Sequence, residues 1–320
     1  EYTYNRITEY NRMYVNKYKY IGFNFTGLLN NVENSRYALT QGFTNYNAIN
    51  AFANYDFSIG KHDISIMGGY NQEESHKESQ WSQRTDVLLE NLPSLSGSTG
   101  TASVTDSFDE YAIRGLFYRV NYTYDGKYMF EANGRYDGTS RFPRGKRYGF
   151  FPSFSAAYRI SEEAFFEPLR KTVDNLKIRL SYGSLGNQQI GYYDFIQTIT
   201  TKGSMGDYSF DGTILGQHAT VSDPVSGNQT WEKVISKNLG ADLNMFSNRL
   251  SLTADFYIRD TKDMLTQSLT LPSVYGAATP TENCADLCTK GWELSITWRD
   301  QFKLGGKPFH YALTGQIGDY

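Results

Sequence analysis

The chain has 320 residues and a formal net charge of −3, so it suits one large domain or two ordinary ones and indicates no nucleic-acid partner. It contains no run of about eighteen apolar residues, which excludes a transmembrane helix, whereas a transmembrane strand needs only about ten residues that are apolar at alternate positions. The 26 tyrosines and 20 phenylalanines fit either an aromatic girdle at a membrane interface or a Tyr-rich soluble β-protein.

Both ends of the chain carry the alternating pattern of a strand, with Tyr2 and Tyr4 at the beginning and Tyr311 and Leu313 at the end. A natural domain rarely begins or ends inside a strand, because the strand edges would then stay unpaired. We therefore expect residues 1–320 to be part of a longer chain that carries the targeting signal elsewhere.

Tight turns and long polar connections alternate along the chain. The tight turns span 59–62, 124–127, 246–249 and 304–307, and the long connections span about 75–109, 138–148, 187–232 and 262–287. This order predicts a meander of about twelve antiparallel strands with short turns at one end and long loops at the other. One connection, 161–166, lies where a tight turn would be expected from this order. Ser161 suits a helix N-cap, which predicts a helical turn that ends before Pro168.

The hairpin around Asp125-Gly126 shows the two faces of these strands most clearly. Tyr118, Val120 and Tyr122 alternate with polar residues before the turn, and Asp-Gly suits a two-residue hairpin turn. Charged residues occupy the second face of several strands, and burying them unpaired would cost several kcal/mol each. The pattern predicts an all-β transmembrane barrel with a wet inner face, and a soluble sandwich is the alternative.

From this pattern we expect six side chains to be exposed on the apolar face: Tyr118, Val120, Tyr122, Phe130, Leu252 and Phe256. The polar side chains of Arg119, Glu131 and Arg135 should occupy the other face.

Several long segments closely resemble the SusC/RagA family of TonB-dependent outer-membrane transporters. They are 117–142, 147–166, 176–195, 230–265 and 289–298, with a looser match over 45–73. One departure is Cys284-Ala-Asp-Leu-Cys288, because family members usually have an apolar residue and Gly at its start and no cysteines.

The resemblance implies a 22-stranded barrel filled by a plug and located in the outer membrane, of which residues 1–320 form a part. The signal peptide, N-terminal extension, TonB box, plug and closing strands would lie outside these residues. The implied activity is import of oligosaccharides or peptides with a SusD-like surface lipoprotein, energised by TonB with ExbB and ExbD. Two alternatives remain from the residues alone: a passive porin and a soluble sugar-binding β-protein.

No constellation of residues in the sequence indicates catalysis, and no cofactor is expected. The four histidines are far apart, and neither a nucleophile elbow nor a phosphate-binding loop occurs. Asp207 and Asp211 fit either a Ca²⁺ site or a plain polar loop. Cys284 and Cys288 can form a disulfide only if a local turn or bulge brings them together.

Recognition is expected in the long loops. Their aromatic side chains fit either stacking on cargo or packing of the loops against each other, and they are Trp81, Tyr192, Tyr193, Phe195, Tyr208, Phe210, Trp231 and Tyr275. The longest loop, from Asn187 to Trp231, is predicted to lie at the outer rim and to contact the lid protein or cargo. The basic loop of Arg141, Arg144, Lys146 and Arg147 either contacts membrane lipid and lipopolysaccharide phosphates or the lid, or is simply solvated.

Overall fold

The computed structural model describes residues 1–16, 18–19, 31–32, 34–202, 209–210, 213–214, 218–268 and 272–320. Within these residues, eleven long antiparallel strands form one sheet in sequence order. They are β1 (Tyr2–Val15), β2 (Arg36–Ile59), β3 (His62–Thr85), β4 (Ala102–Tyr124), β5 (Tyr128–Thr139), β6 (Tyr148–Arg159), β7 (Val173–Asn187), β8 (Glu232–Met245), β9 (Leu250–Gln267), β10 (Thr281–Leu304) and β11 (Lys307–Asp319).

The strand order confirms the predicted meander, because each strand pairs with its sequence neighbours and β1 and β11 occupy the two edges of the sheet. Three additional pairs of two- to four-residue strands lie in the connections. They are Tyr18–Lys19 with Asn31–Val32, Ile199–Lys202 with His218–Val221, and Ser209–Phe210 with Thr213–Ile214.

The chain divides into two compact units, which are described separately. Unit 1 consists of Glu1–Ile49 and Gln72–Ala112, and unit 2 consists of Asn50–Asn71 and Ile113–Tyr320. In unit 1, β1 pairs along the first part of β2, from Tyr2 opposite Ile49 to Val15 opposite Arg36. Unit 2 contains β5 to β11 in full.

The four predicted tight turns all join consecutive strands. In the β4–β5 turn, Asp125 and Gly126 have φ angles of +53° and +66°, the left-handed values of a two-residue hairpin turn. Asp and Gly tolerate these angles at low cost, which is why the sequence identifies this turn so clearly.

Two of the four long connections are shorter than predicted. Strand β3 continues to Thr85 and β4 starts at Ala102, so the connection expected at 75–109 is only 86–101. Likewise, β9 continues to Gln267 and β10 starts at Thr281. The end of β3 is polar on both faces apart from Trp81, and in β9 a register irregularity at Met264 interrupts the alternation, so both ends lack the apolar period on which the prediction relied.

The short segment between β6 and β7 is helical, as predicted, but its details differ. Two 3-10 turns form, at Ile160–Glu162 and Ala164–Leu169. Ser161 lies inside the first turn rather than capping it, and Pro168 lies inside the second rather than after it. A 3-10 turn this short leaves most backbone N–H groups outside its hydrogen bonds, so the missing N–H of a proline costs little.

Both faces of the strands in unit 2 are accessible, since Arg119 and Arg135 on the polar face are exposed and Glu131 is half-buried. Of the six side chains expected on the apolar face, Tyr118, Val120, Phe130 and Phe256 are exposed, Tyr122 and Leu252 are half-buried, and none is buried.

Charged side chains on the second face form ion pairs both across strands and within one strand. The guanidinium of Arg179 on β7 donates to Asp242 on β8 at 2.8 Å and to Asp255 on β9 at 3.2 Å. On β5, Arg135 donates to Asp137 at 2.8 Å. These charges are therefore partnered on a face that water reaches, which keeps the free-energy cost of placing them there small.

Among the described residues, no helix is both long and apolar enough to cross a membrane.

Candidate functional site at the bases of the long loops

A buried aromatic cluster in unit 2 lies where three connections leave the strands. Phe142 belongs to the β5–β6 connection, Phe151 to β6, and Trp231 is the last residue before β8. All three are buried, with 0%, 6% and 4% of their surface exposed, and Ile190 and Leu265 pack against them. We call Phe142, Phe151 and Trp231 the aromatic cluster.

The indole of Trp231 organises this aromatic cluster. Its ring meets Phe142 and Phe151 in edge-to-face geometry, with centroid distances of 5.6 Å and 5.1 Å. Its Nε1 donates a hydrogen bond to the carbonyl oxygen of Arg147 at 2.9 Å. The ring is therefore buried while its only polar atom keeps a hydrogen bond.

Glycine on two neighbouring strands makes room for the Phe151 ring. A Cβ atom on Gly149 or on Gly186 would collide with this ring. The small residues and the large ring are therefore complementary, and any larger side chain at Gly186 would displace Phe151 from the aromatic cluster.

Polar side chains tie the loop ends to the neighbouring strands. Asn283 on β10 accepts a hydrogen bond from the backbone N–H of Thr230 at 2.9 Å and donates one to the Thr230 carbonyl oxygen at 3.0 Å. The carboxylate of Glu232 accepts from Asn187 Nδ2 at 2.6 Å and from the Leu265 N–H at 2.7 Å. The two ends of the longest loop, at Asn187 and Glu232, are therefore joined directly.

The longest loop presents two exposed tyrosines near this base. Arg141 donates to the carbonyl oxygen of Ile190 at 3.0 Å, and its guanidinium lies 4.8 Å from the centre of the Tyr192 ring. Tyr193 follows with φ +61°, a left-handed angle that is uncommon for an aromatic residue. Tyr192 and Tyr193 are 37% and 39% exposed, so part of each ring faces solvent.

The other aromatic side chains predicted for recognition are in different environments. Trp81 lies in β3 of unit 1, half-buried, and not in a loop as expected. Trp231 is buried and packs the loop bases, which leaves it no surface for cargo. Phe195 is half-buried and Tyr275 is exposed in a short 3-10 turn.

The remaining predicted positions fall wholly or partly outside the described residues. Tyr208, Asp207 and Asp211 lie outside them, and Phe210 is described only in its backbone, where it pairs with Thr213. Over the part of the chain that is described, no three His, Cys, Asp or Glu side chains are arranged to hold a metal ion.

Sequence reasoning missed Phe142 and Phe151 as part of this site. Phe142 lies within the basic loop and Phe151 follows it, and the alternation that marks strands gives no signal for a ring that packs beneath a loop. In that basic loop, Arg141 and Arg147 are half-buried, whereas Arg144 and Lys146 are exposed. Arg147 donates a hydrogen bond to the Phe142 carbonyl oxygen at 2.9 Å.

Cys284 and Cys288 are both free and exposed, so the disulfide considered above does not form. Both lie in β10, and residues four apart in a strand are separated by about 13 Å. A disulfide requires Cα atoms within about 7 Å, and the strand is not bent enough here to provide that.

The opposite end of unit 2 is held by charged turns. Asp125 in the β4–β5 turn accepts a hydrogen bond from Lys61 Nζ in the β2–β3 turn at 3.0 Å, which lowers the pKa of the Asp125 carboxyl. Glu163 accepts from the hydroxyl of Tyr128 at 2.8 Å, which with nearby Lys127 lowers the pKa of the Glu163 carboxyl.

In unit 1, His76 on β3 lies between two carboxylates. Its Nδ1 is 2.7 Å from Glu110 and its Nε2 is 2.9 Å from Glu78. The rings of Phe43 and Phe108 flank the imidazole, at centroid distances of 5.9 Å and 4.9 Å. The arrangement of two carboxylates around the ring stabilises a charged imidazolium.

Comparison with known proteins gives a consistent result. A family model described as "TonB dependent receptor-like, beta-barrel" matches residues 1–320. The chain is 31% identical over 252 residues to TonB-dependent receptor P3 of Formosa agariphila, which covers 78% of this chain and 24% of that protein. It is 29% identical over 252 residues to the TonB-dependent receptor SusC of Bacteroides thetaiotaomicron, covering 77% of this chain and 24% of that protein.

Among solved structures, the fold is similar to that of the RagAB peptide transporter, with a TM-score of 0.75 and 23% sequence identity. That match covers 89% of this chain and 31% of the solved chain. The chain spans about a quarter of the length of the curated relatives it matches.

Proposed function

Since the chain belongs to the TonB-dependent receptor-like β-barrel family and therefore lies in the outer membrane, we propose that the protein imports nutrients across that membrane. The energy would come from TonB with ExbB and ExbD, and a SusD-like surface lipoprotein would cover the outer opening. This mechanism also needs a plug and a TonB box, which we propose to lie outside residues 1–320.

The observation that carries the proposal is the match of the barrel family model to residues 1–320. The two faces of the strands support it, because exposed aromatic and aliphatic side chains suit contact with lipid. The paired charges around Arg179 suit a water-filled interior. Transport, and no chemical reaction, is the activity that such a wall supports.

The proposed cargo is an oligosaccharide or a peptide. The similar RagAB structure is a peptide transporter, and exposed tyrosine rings such as Tyr192 and Tyr193 can stack on sugar faces or on peptide side chains. We propose that the loop between β7 and β8 contacts cargo and lid. In a strand, side chains must alternate between apolar and polar to face lipid and lumen, whereas a loop has no such restriction.

Import can be tested by growth of a strain that lacks the gene on single glycans and single peptides as sole nutrients. We expect a growth defect on one class of cargo that the full-length gene restores. A deletion strain that grows like its parent on every nutrient of the panel would contradict the proposed import. Affinity purification of the full-length transporter from native membranes should recover a surface lipoprotein, and its absence would contradict the lid partnership.

The role of the loop can be tested by deleting residues 203–216 in the full-length protein. We expect loss of growth on the cargo or loss of the lipoprotein, while the barrel stays folded in the membrane. The matched control replaces the same residues with a Gly/Ser segment of equal length, which separates loss of side chains from loss of length. Normal import by both variants would place selectivity outside this loop.

A further inference from the structure

An apolar groove runs across four strands on the exposed apolar face of unit 2. It encloses about 490 Å³. Its apolar lining consists of Val120, Tyr122, Phe130, Ala132, Phe154, Ala156, Leu180 and Tyr182, and Lys237 stands at its edge.

The groove results from an alternation of large and small side chains in the strand register. Phe130 lies opposite Ala156, and Ala132 lies opposite Phe154, so each alanine leaves a depression beside a ring. Phe130, Phe154 and Leu180 are each at least half exposed along its walls. A narrow apolar depression of this kind fits an acyl chain better than the flat surface of a sheet does.

Beyond the groove, the same face changes from apolar to charged on β8, β9 and β10. In one row of the register, Leu239, Phe256 and Trp292 are neighbours. Two residues further along, the row is Lys237, Ile258 and Lys290, and the next contains Asp260 beside Cys288. Apolar side chains therefore border the first charged row directly.

Six charged residues make up this region, which we call the cationic ledge. They are Lys233, Lys237, Lys262, Lys290, Asp260 and Asp286. Lys237 lies 3.6 Å from Asp260, and Lys262 lies 2.6 Å from Asp286. Four lysines against two aspartates leave a surplus of two positive charges beside an apolar surface.

The position of Lys237 is unusual for a lysine. Its cross-strand neighbours are Tyr182 and Ile258, both partly exposed, and on β4, β5 and β6 the same row remains apolar with Val120, Ala132 and Phe154. A lysine at such a boundary extends its alkyl stem along the apolar surface and directs its ammonium group toward lipid phosphates. The charge surplus favours an anionic partner, not a neutral one.

We propose that the groove and the cationic ledge form a binding site for lipid A, the phosphorylated glycolipid of the outer leaflet. One acyl chain would occupy the groove, and the phosphates would contact Lys237 and Lys290. The inference rests on the proposed function for its orientation, in which the long loops face outward. Lys237 and Lys290 lie two strands apart, roughly 10 Å, which suits a headgroup with two phosphates better than a phospholipid with one.

The test measures how many lipid molecules the full-length transporter retains. The purified protein is placed in phosphatidylcholine nanodiscs that contain hexa-acyl lipid A, dephosphorylated lipid A or phosphatidylglycerol, and retained lipid is counted by native mass spectrometry after mild delipidation. We expect retention of lipid A only, with weaker retention as the salt concentration rises. Each lysine near an anionic surface contributes about fivefold in affinity, so Lys237→Gln with Lys290→Gln should weaken retention roughly 25-fold.

Two more variants separate the phosphate contacts from the acyl-chain contact and from folding. Lys237→Arg with Lys290→Arg keeps the charge and should retain lipid A, whereas Ala132→Phe fills the groove and should reduce retention with the ledge intact. Lys303→Gln with Lys307→Gln, at the other end of β10 and β11, makes the same charge change and should have no effect.

The proposal is overturned if phosphatidylglycerol or dephosphorylated lipid A is retained as strongly as lipid A, or if the Gln variants retain lipid A normally. Growth on cargo is measured separately with the same strains. A transporter that imports cargo but retains no lipid A contradicts only this inference, and one that retains lipid A but imports nothing contradicts only the proposed function.

Discussion

Replacing Trp231 with Ala should release the bases of the long loops while the strands stay folded. The indole is 4% exposed, meets two phenylalanine rings edge to face, and donates one hydrogen bond to Arg147. Truncation of a buried tryptophan costs about 3–5 kcal/mol, of which each ring contact accounts for roughly 1 kcal/mol and the hydrogen bond for about as much.

If the loops open locally, this loss raises the open population by a factor of about a hundred to several thousand, since about 1.4 kcal/mol corresponds to tenfold. Trypsin can report on the opening, because Arg141 and Arg147 next to the aromatic cluster are half-buried and hydrogen-bonded in the closed loops, whereas Arg144 and Lys146 between them are already exposed. The full-length variant should be cleaved after Arg141 and Arg147 faster by up to this factor, with its heat-sensitive migration in detergent gels unchanged.

Tyr193→Ala is the matched control, because that ring is 39% exposed and its loss creates no cavity. Trp231→Phe should fall between the two, since it keeps much of the packing but loses the hydrogen bond to Arg147. Cleavage of Trp231→Ala no faster than that of Tyr193→Ala would refute the conclusion that this aromatic cluster holds the loops.

Three further predictions concern single positions in the strands and turns. Gly69→Ala should destabilise the folded protein by about 1–3 kcal/mol, because the new Cβ would be 2.8 Å from the Ala51 carbonyl oxygen. The heat-sensitive shift in detergent gels should therefore show less folded protein. The adjacent Gly68→Ala, whose Cβ meets nothing within 4 Å, should fold normally in that assay. Asp125→Asn should lower the melting temperature at pH 7, and the difference from the parent protein should shrink as the pH falls through the folded pKa of Asp125. That pKa is depressed, so the stabilisation is complete above the ordinary value of about 3.9 and is lost at lower pH. Cys284 and Cys288 should both react with a maleimide without prior reduction, giving two labels by mass spectrometry, whereas a disulfide would give none.

The hairpin and the faces of the strands were predictable because both depend on local chemistry. Asp125 and Gly126 adopt left-handed angles that few other residue pairs tolerate, so the turn can be read from the sequence. Alternation at Tyr118 and Val120 has a period of two, which in a strand places both side chains on one face, and both are exposed. These features need no knowledge of distant contacts.

The extent of the strands and the role of Trp231 were not predictable in the same way. The last part of β3 is polar on both sides, and a strand with two wet faces has no hydrophobic period to detect. Trp231 follows a polar loop and precedes a strand. An exposed recognition residue would have the same sequence context, so the sequence does not distinguish the two. Its burial depends on Phe142 and Phe151, about ninety and eighty residues earlier, and on glycine at Gly186.

The joined ends of the longest loop show how a wall of strands can carry a long loop at fixed positions. Asn187 and Glu232 bond to each other, and Asn283 holds Thr230 from the next hairpin, so the loop begins and ends at fixed positions. The entropy cost of closing a loop then grows only slowly with its length, by about 0.6 kcal/mol for each doubling. Residues between the anchors can consequently change in number and type at little cost to the strands, while Tyr192 remains tied to Arg141 beside the anchor. On the proposed role of this loop, the residues between the anchors would set selectivity, whereas the aromatic cluster below them must keep its shape.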